Sequence, residues 1–167
     1  MTRRRLAEWV ASFGGCGWLR PAPGTIGSAA ALLPGGVAVW WLPPSLAWPV
    51  LVAAVLAAST IGIWAIGAAA DGADHGWIVI DEVAGQWLTL LGLLPCAGCV
   101  TLGGSALAAG IAVAFLLFRL LDITKPGPVG MLDRRHDAAG VMGDDLAAGL
   151  IGALLLVAVR AAWRLWS

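Results

Sequence analysis

The sequence has few charged residues. Of its 167 residues, 12% are charged and 60% are hydrophobic, whereas an average soluble domain is about 25% charged. So few charges cannot cover the surface of a soluble domain, and a disordered chain would be far less hydrophobic. Ten Lys and Arg balance ten Asp and Glu, so no basic surplus indicates nucleic acid as a partner. The composition therefore predicts an integral membrane protein.

Histidine, cysteine and tyrosine are also scarce. The chain has two histidines (His75 and His136), three cysteines and no tyrosine. The histidines do not have zinc-motif spacing, and the single CxxC from Cys96 to Cys99 has no second pair beside it. We therefore expect neither a zinc site nor a thioredoxin-like redox centre.

Long stretches of the chain carry no charge at all. They are residues 21–70, 83–118 and 146–159. A hydrocarbon core about 30 Å thick takes about 20 apolar residues per helix. The first run holds two spans, near residues 26–42 and 46–70. The second holds two more, broken between Pro95 and Gly104, and the third makes a fifth if Arg160 and Arg164 reach the interface. The pattern predicts an all-α bundle of four to five transmembrane helices, forming a single domain over residues 1–167.

Basic residues indicate which side of the membrane the loops occupy. Arg3, Arg4, Arg5 and Arg20 place the N-terminus in the cytoplasm, because positive residues mark cytoplasmic loops. No small-residue cleavage site follows them, so residues 1–20 are predicted to stay as an interfacial segment. The loops after the second and fourth spans then share the cytoplasmic face of the membrane.

Acidic residues are concentrated in those loops. Nine of the ten lie in five groups: Asp71/Asp74, Asp81–Glu82, Asp122, Asp133/Asp137 and Asp144–Asp145. Helix capping accounts for one acid per helix start, whereas paired acids at two starts, together with Asp122 at a helix end, also suit a shared site. Clustered carboxylates without Cys or His ligands suit Mg²⁺. Adjacent acids on a helix point about 100° apart, so one of each pair can bind the metal while the other has a supporting role.

Cationic residues accompany these acids. Arg119, Asp122 and Lys125 are three residues apart on one predicted helix face, and Pro126 ends that helix. A metal site beside Arg and Lys is what phosphoryl transfer needs, although a chain of interfacial ion pairs would give the same spacing. The Gly/Pro loop before the first span adds the Thr25 and Ser28 hydroxyls at a helix start, where anions bind.

Four motifs occur in an order that resembles one known family. They are Pro23-Gly-Thr-Ile-Gly-Ser28, the segment from Asp74 to Trp87, the segment from Phe118 to Pro128, and the segment from Gly140 to Gly149. Together they resemble the phosphatidylglycerophosphatase A family over about residues 13–159. The resemblance implies an all-helical, Mg²⁺-dependent membrane phosphatase of bacterial phospholipid synthesis. Such an enzyme removes the terminal phosphate of phosphatidylglycerophosphate in the bilayer to give phosphatidylglycerol.

The resemblance and the residue chemistry together give a set of expected site residues. The metal ligands are Asp81, Glu82, Asp144 and Asp145, and the catalytic residues are Asp122, Lys125, Asp81 and Asp145. The substrate-binding residues are Thr25, Gly27, Arg119, Lys125, Asp133 and Arg134. In this scheme Asp122 orients or deprotonates the attacking water, and Lys125 and Arg119 stabilise charge on the phosphoryl oxygens.

Two other functions remain open at this stage. One is a small cation channel or transporter subunit, which would place its acids in mid-span along a path. The other is a different lipid-phosphate enzyme. An acid-phosphatase type would need a catalytic histidine with Ser and Arg partners, and neither His75 nor His136 has such a setting.

Overall fold

The structure is a computed structural model that describes residues 1–70 and 72–166, so Asp71 and Ser167 lie outside the described residues. All regular structure in these ranges is helical, as predicted, and three of the helices are long and apolar enough to span a bilayer. The helices are α1 (Arg3–Ala11), α2 (Pro23–Trp41), α3 (Pro44–Ala70), α4 (Ile80–Leu91), α5 (Gly104–Thr124), α6 (Pro128–Asp133) and α7 (Ala138–Trp166), with a 3₁₀ turn at Cys16–Trp18.

The three candidate spans are α3, α5 and α7. Helix α2 matches the first predicted span in position but contains Pro34. Helix α4 has only 12 residues, or about 18 Å of helix, so it is too short to cross a core of about 30 Å. Hydropathy could not reveal this difference, because the residues that follow α4 are as apolar as the helix itself.

Helix α4 lies at the centre of the bundle. It packs against α2, α3, α5 and α7, and nine of its residues are buried. Its closest neighbour is α7, where a Cβ added to Gly149 would lie 2.4 Å from the backbone oxygen of Gly85. The two backbones can approach this closely only because both positions are glycine, as small residues allow in membrane bundles.

A buried arginine of α7 binds the loop that follows α4. Arg160 of α7 is 5% exposed, and its guanidinium donates to the carbonyl oxygens of Gly92, Leu94 and Val100 at 2.7–3.1 Å. The side chain of Arg160 is therefore held inside the bundle by the loop that follows α4. The last carbonyls of α4 itself accept from the amides of Gly92, Leu93 and Leu94, whereas the loop carbonyls need donors within the bundle, and Arg160 supplies them.

The helices alternate in direction around one polar end. Helices α2, α4 and α7 begin near this end, whereas α3 and α5 finish there. The short α6 links α5 to α7 at the same end, and α1 packs along α3 with Ala7 and Ala11 buried and its arginines exposed. The acidic groups, which are far apart in sequence, are thereby brought together.

Candidate active site

The polar end of the bundle contains a cavity of about 660 Å³. It is lined by the start of α2, the loop before α4, the first turn of α4, the end of α5, the residues around α6 and the second turn of α7. The charged and polar residues lining it are Thr25, Asp74, Asp81, Glu82, Arg119, Asp122, Lys125, Asp133, Arg135, His136, Asp144 and Asp145. Most of the site residues predicted from sequence therefore face one space.

Three carboxylates from two helices meet inside this cavity. Asp81 and Glu82 in the first turn of α4 and Asp145 of α7 each offer an oxygen within 4.8 Å of the others. Asp81 is 6% exposed and Asp145 is 3% exposed, and within residues 1–70 and 72–166 no Lys or Arg forms an ion pair with any of the three. Buried carboxylates normally have a cationic partner or hold a metal, and three oxygen donors suit a hard divalent cation.

Helix capping does not account for these acids. The residue that caps α7 is Asp137, whose Oδ1 accepts a hydrogen bond from the Gly140 amide at 2.7 Å. Asp144 and Asp145 lie two turns further along, so the expectation that they open this helix is wrong. Helix α4 likewise lacks a side-chain cap at its N-cap residue, Val79.

Asp144, the residue before Asp145, faces a lysine instead of the other three carboxylates, Asp81, Glu82 and Asp145, which we call the carboxylate trio. Its Oδ2 accepts a hydrogen bond from Lys125 Nζ at 2.8 Å, and Lys125 also pairs with Asp133. Partial burial alone would lower the pKa of Lys125, but its bonds to Asp133 and Asp144 outweigh burial and raise that pKa above its ordinary value. The ammonium therefore stays charged in the cavity.

Local backbone geometry places Lys125 there. Lys125 adopts a left-handed conformation with φ 46° directly after α5, and Pro126 prevents the helix from continuing. Six residues earlier on α5, Arg119 Nη1 lies 2.5 Å from Asp122 Oδ2 and 3.5 Å from Ser28 Oγ. Two cationic side chains thus flank the carboxylate trio.

The start of α2 packs tightly against the trio. A Cβ added to Gly24 would lie 2.2 Å from Glu82 Oε1, so a larger residue here would force the Glu82 carboxylate to move. Pro23 is the first residue of α2 and lacks an N–H, so the amides of Gly24 and Thr25 are the donors at this helix start. Thr25 lines the cavity as expected.

Two expected residues are not among those lining the cavity. Gly27 is buried, and a Cβ placed there would lie 2.6 Å from Val79 Cβ, so it serves helix packing. Arg134, Arg135 and His136 are all exposed, but only Arg135 and His136 line the cavity. Charge alone could not distinguish Arg134 from Arg135, because their orientation depends on how α6 ends.

Comparison with known proteins shows which family the chain belongs to. The family model described as Phosphatidylglycerophosphatase A matches residues 9–160. The chain belongs to the phosphatidylglycerophosphatase A family. It is therefore a phosphatase, and the resemblance of its four motifs is confirmed.

Individual relatives cover most of the chain. Phosphatidylglycerophosphatase A of Escherichia coli strain K12 is 36% identical over 147 residues, which is 86% of this chain and 77% of the relative. A Bacteroides thetaiotaomicron protein with the provisional name phosphatidylinositol-3-phosphatase is 32% identical over 87% of this chain and 88% of its own. Phosphatidylglycerophosphatase A of Haemophilus influenzae is 30% identical over 87% of this chain and 83% of its own. No solved structure matches the chain at a significant level.

Proposed function

We propose that this phosphatase hydrolyses the terminal phosphate monoester of phosphatidylglycerophosphate in the bilayer and releases phosphatidylglycerol. The observation that carries the proposal is the buried carboxylate trio beside Lys125 and Arg119 in one cavity at the end of a membrane bundle. The headgroup phosphate of a lipid can enter this cavity while the acyl chains of the same lipid stay in the bilayer. A channel would instead need acids spread along a path through the membrane.

The donor set fits Mg²⁺. Asp81, Glu82 and Asp145 would hold the ion, and one buried oxygen of Glu82 has no hydrogen-bond partner. Asp144 would contribute through Lys125 or through water. When bound, Mg²⁺ would neutralise charge on the phosphoryl oxygens and make the phosphorus more electrophilic.

The remaining side chains bind phosphate and move a proton. Lys125, anchored by Asp133 and Asp144, would donate hydrogen bonds to the phosphoryl oxygens, and Arg119 would do so from the opposite side. Asp122 would accept the proton of the attacking water, since its carboxylate lines the same cavity. The amides and hydroxyl at the start of α2, including Thr25, would bind a further phosphate oxygen.

The proposed topology places this site on the cytoplasmic face of the inner membrane. Helices α2, α3, α5 and α7 would cross. Helix α4 would enter from the cytoplasmic side, and residues 92–103 would carry the chain the rest of the way to the start of α5 on the far side. Residues 1–20 would lie at the interface as part of the single domain, with the exposed arginines of α1 facing lipid headgroups. Because Arg160 is occupied by backbone carbonyls, it does not count against the positive-inside rule.

Labelling of single cysteines tests this topology. A cysteine placed at Gly72 should react with an impermeant reagent only from the cytoplasmic side, and one placed at Ser45 only from the other. Reaction of both from the same side would contradict the proposal.

Phosphate release by the detergent-purified protein tests the activity. Phosphatidylglycerophosphate, phosphatidylinositol 3-phosphate and phosphatidic acid would be compared, each with Mg²⁺ and with a chelator. We expect Mg²⁺-dependent release from phosphatidylglycerophosphate at a rate well above the other two. Preference for the inositol lipid would make the chain a different lipid phosphatase, and full activity in chelator would exclude the metal.

A further inference from the structure

A groove on the outside of the bundle combines basic and apolar side chains. It lies between the first turn of α1 and the last turns of α3 and has a volume of about 590 Å³. The residues lining it are Arg3, Arg4, Ile63, Trp64, Gly67 and Ala68. None of them lines the cavity that contains the carboxylate trio, so the groove is a separate feature of the molecule.

The groove lies where a phospholipid changes from headgroup to acyl chain. Helix α3 is a candidate span that ends at Ala70. Ile63 lies seven residues before that end, or about 10 Å along the helix, so the apolar wall runs from the end of the span inwards. Arg4 also lines a neighbouring depression together with Ala69 and His75, which places its side chain at the end of α3. The basic part of the groove is therefore at headgroup level.

Helix α1 is suited to lie at this level. Ala7 and Ala11 are buried where the helix packs on α3, whereas Leu6 and Trp9 are exposed. The three arginines at the start of the helix are exposed as well. A helix that exposes both apolar and basic side chains lies in the plane of the membrane surface and binds anionic lipids.

The charge of the groove favours an anionic ligand. Arg4 Nε donates to Glu8 Oε1 at 3.2 Å, and this contact leaves the N–H groups on the two terminal nitrogens of Arg4 for other acceptors. Arg3 adds a second guanidinium. Guanidinium groups form strong, paired hydrogen bonds with phosphate oxygens, and two of them repel the ammonium of a zwitterionic headgroup.

We propose that the groove between α1 and α3 binds one anionic phospholipid. Its headgroup phosphate accepts hydrogen bonds from Arg3 and Arg4, and one of its acyl chains packs on Ile63, Trp64 and Gly67. The site recognises the negative charge of the headgroup and the apolar chain together, so free inorganic phosphate is a poor ligand. It is a binding site outside the catalytic cavity, and it does not depend on the proposed activity.

The bound lipid also stabilises the docked position of α1. The carbonyl of Ala11, the last residue of α1, accepts a hydrogen bond from the amide of Val79 at 2.9 Å. Val79 directly precedes α4, so α1 is joined to the start of the helix that carries Asp81 and Glu82. A ligand that binds only this folded arrangement raises Tm.

Native mass spectrometry of the detergent-purified full-length protein tests the binding. Phosphatidylglycerol and phosphatidylcholine with the same acyl chains are titrated separately, with chelator and without substrate. We expect one phosphatidylglycerol molecule to bind about 25-fold more tightly than phosphatidylcholine, because each arginine near an anionic headgroup contributes about fivefold. Phosphatidylglycerol should also raise Tm, and inorganic phosphate should not displace it. Equal affinity for the two lipids, or displacement by inorganic phosphate, would overturn the proposal.

Two variants alter the groove in different ways. Arg3→Gln/Arg4→Gln removes both cations and should lower the affinity for phosphatidylglycerol to that for phosphatidylcholine. Gly67→Leu keeps the charges and fills the apolar part. A Cβ added to Gly67 meets no atom within 4 Å, and leucine is a better helix former than glycine, so the lipid-free Tm should not fall. Binding of both lipids should weaken in this variant.

Arg5→Gln/Arg20→Gln is the matched control. It removes the same charge from the N-terminal segment, and neither residue lines the groove. The control should keep the tight binding of phosphatidylglycerol, and its loss there would mean that only the overall charge matters. Lipid that stays bound in both groove variants would lie in another cavity. A dimer that Gly67→Leu abolishes would mean that a second copy of the chain occupies the groove. Each of these three results would overturn the proposal.

Discussion

Replacing Asp145 by asparagine should raise the stability of the metal-free protein and at the same time abolish most of its activity. Asp81, Glu82 and Asp145 each have one carboxylate oxygen within 4.8 Å of the others. In the part of the chain that the structure describes, none of the three forms an ion pair with Lys or Arg. Two unit charges at that distance repel by about 3.5 kcal/mol at an effective dielectric constant of about 20. Asparagine has nearly the same volume and removes two of the three repulsions.

The net gain in stability is smaller than this Coulomb energy, because screening and solvation offset part of any charge–charge repulsion. A net gain of about 1 kcal/mol corresponds to roughly 2–4 °C in Tm for a chain of this size. Mg²⁺ should stabilise the unaltered protein strongly and Asp145→Asn only weakly, since binding to the native state is what raises Tm. Phosphate release should fall by about 100-fold or more, because each factor of ten needs only about 1.4 kcal/mol of lost transition-state stabilisation.

Thermal unfolding in detergent, with Mg²⁺ and with chelator, measures the first effect, and phosphate release measures the second. Glu8→Gln is the control, since Glu8 is a carboxylate paired with Arg4 at 3.2 Å on the outside of the bundle. It should leave activity and the Mg²⁺-induced rise in Tm unchanged. If Asp145→Asn lowered the metal-free Tm and kept the full Mg²⁺ response, the trio would not be a metal site.

Three further substitutions test the surroundings of the trio. Lys125→Met should reduce phosphate release by about 100-fold and lower Tm, because it leaves the buried Asp144 without its cation; normal turnover would exclude Lys125 from phosphate binding. Gly149→Ala should destabilise the protein by about 1–3 kcal/mol in denaturant unfolding, since its Cβ would press into the α4 backbone; unchanged stability would mean that α4 and α7 separate easily. Gly24→Ala should displace the Glu82 carboxylate and weaken Mg²⁺ binding with little loss of Tm. An unchanged Mg²⁺ affinity in calorimetric titration would contradict this expectation.

Much of the site could be predicted from the sequence because charged residues are so rare in this chain. In a chain with charge-free runs of this length, an acid or a base has few places to lie, and the helix ends bring the acids of α4, α5 and α7 to one cavity. The different roles of Asp144 and Asp145 could not be assigned in advance. Adjacent helical positions diverge by about 100°, and which of them faces Asp81 depends on where α7 begins.

The ends of the helices were the least predictable part of the fold. Helix α7 starts at Ala138 because Asp137 caps it, and neither hydropathy nor charge pairing indicated that start. The complete burial of Gln86 was also not apparent, since a single polar residue in an apolar run has no periodicity.

The contact between Arg160 of α7 and the loop after α4 has a consequence for assembly in the membrane. Helix α4 is too short to span by itself, and the carbonyls of the loop that follows it accept their hydrogen bonds from Arg160. Until α7 has been synthesised and has docked, the hairpin of α4 and α5 exposes unpaired backbone groups to lipid, which is costly. The polar centre with its carboxylates can therefore close only after α7 has docked, because α7 supplies both Asp145 to the trio and Arg160 to the loop after α4.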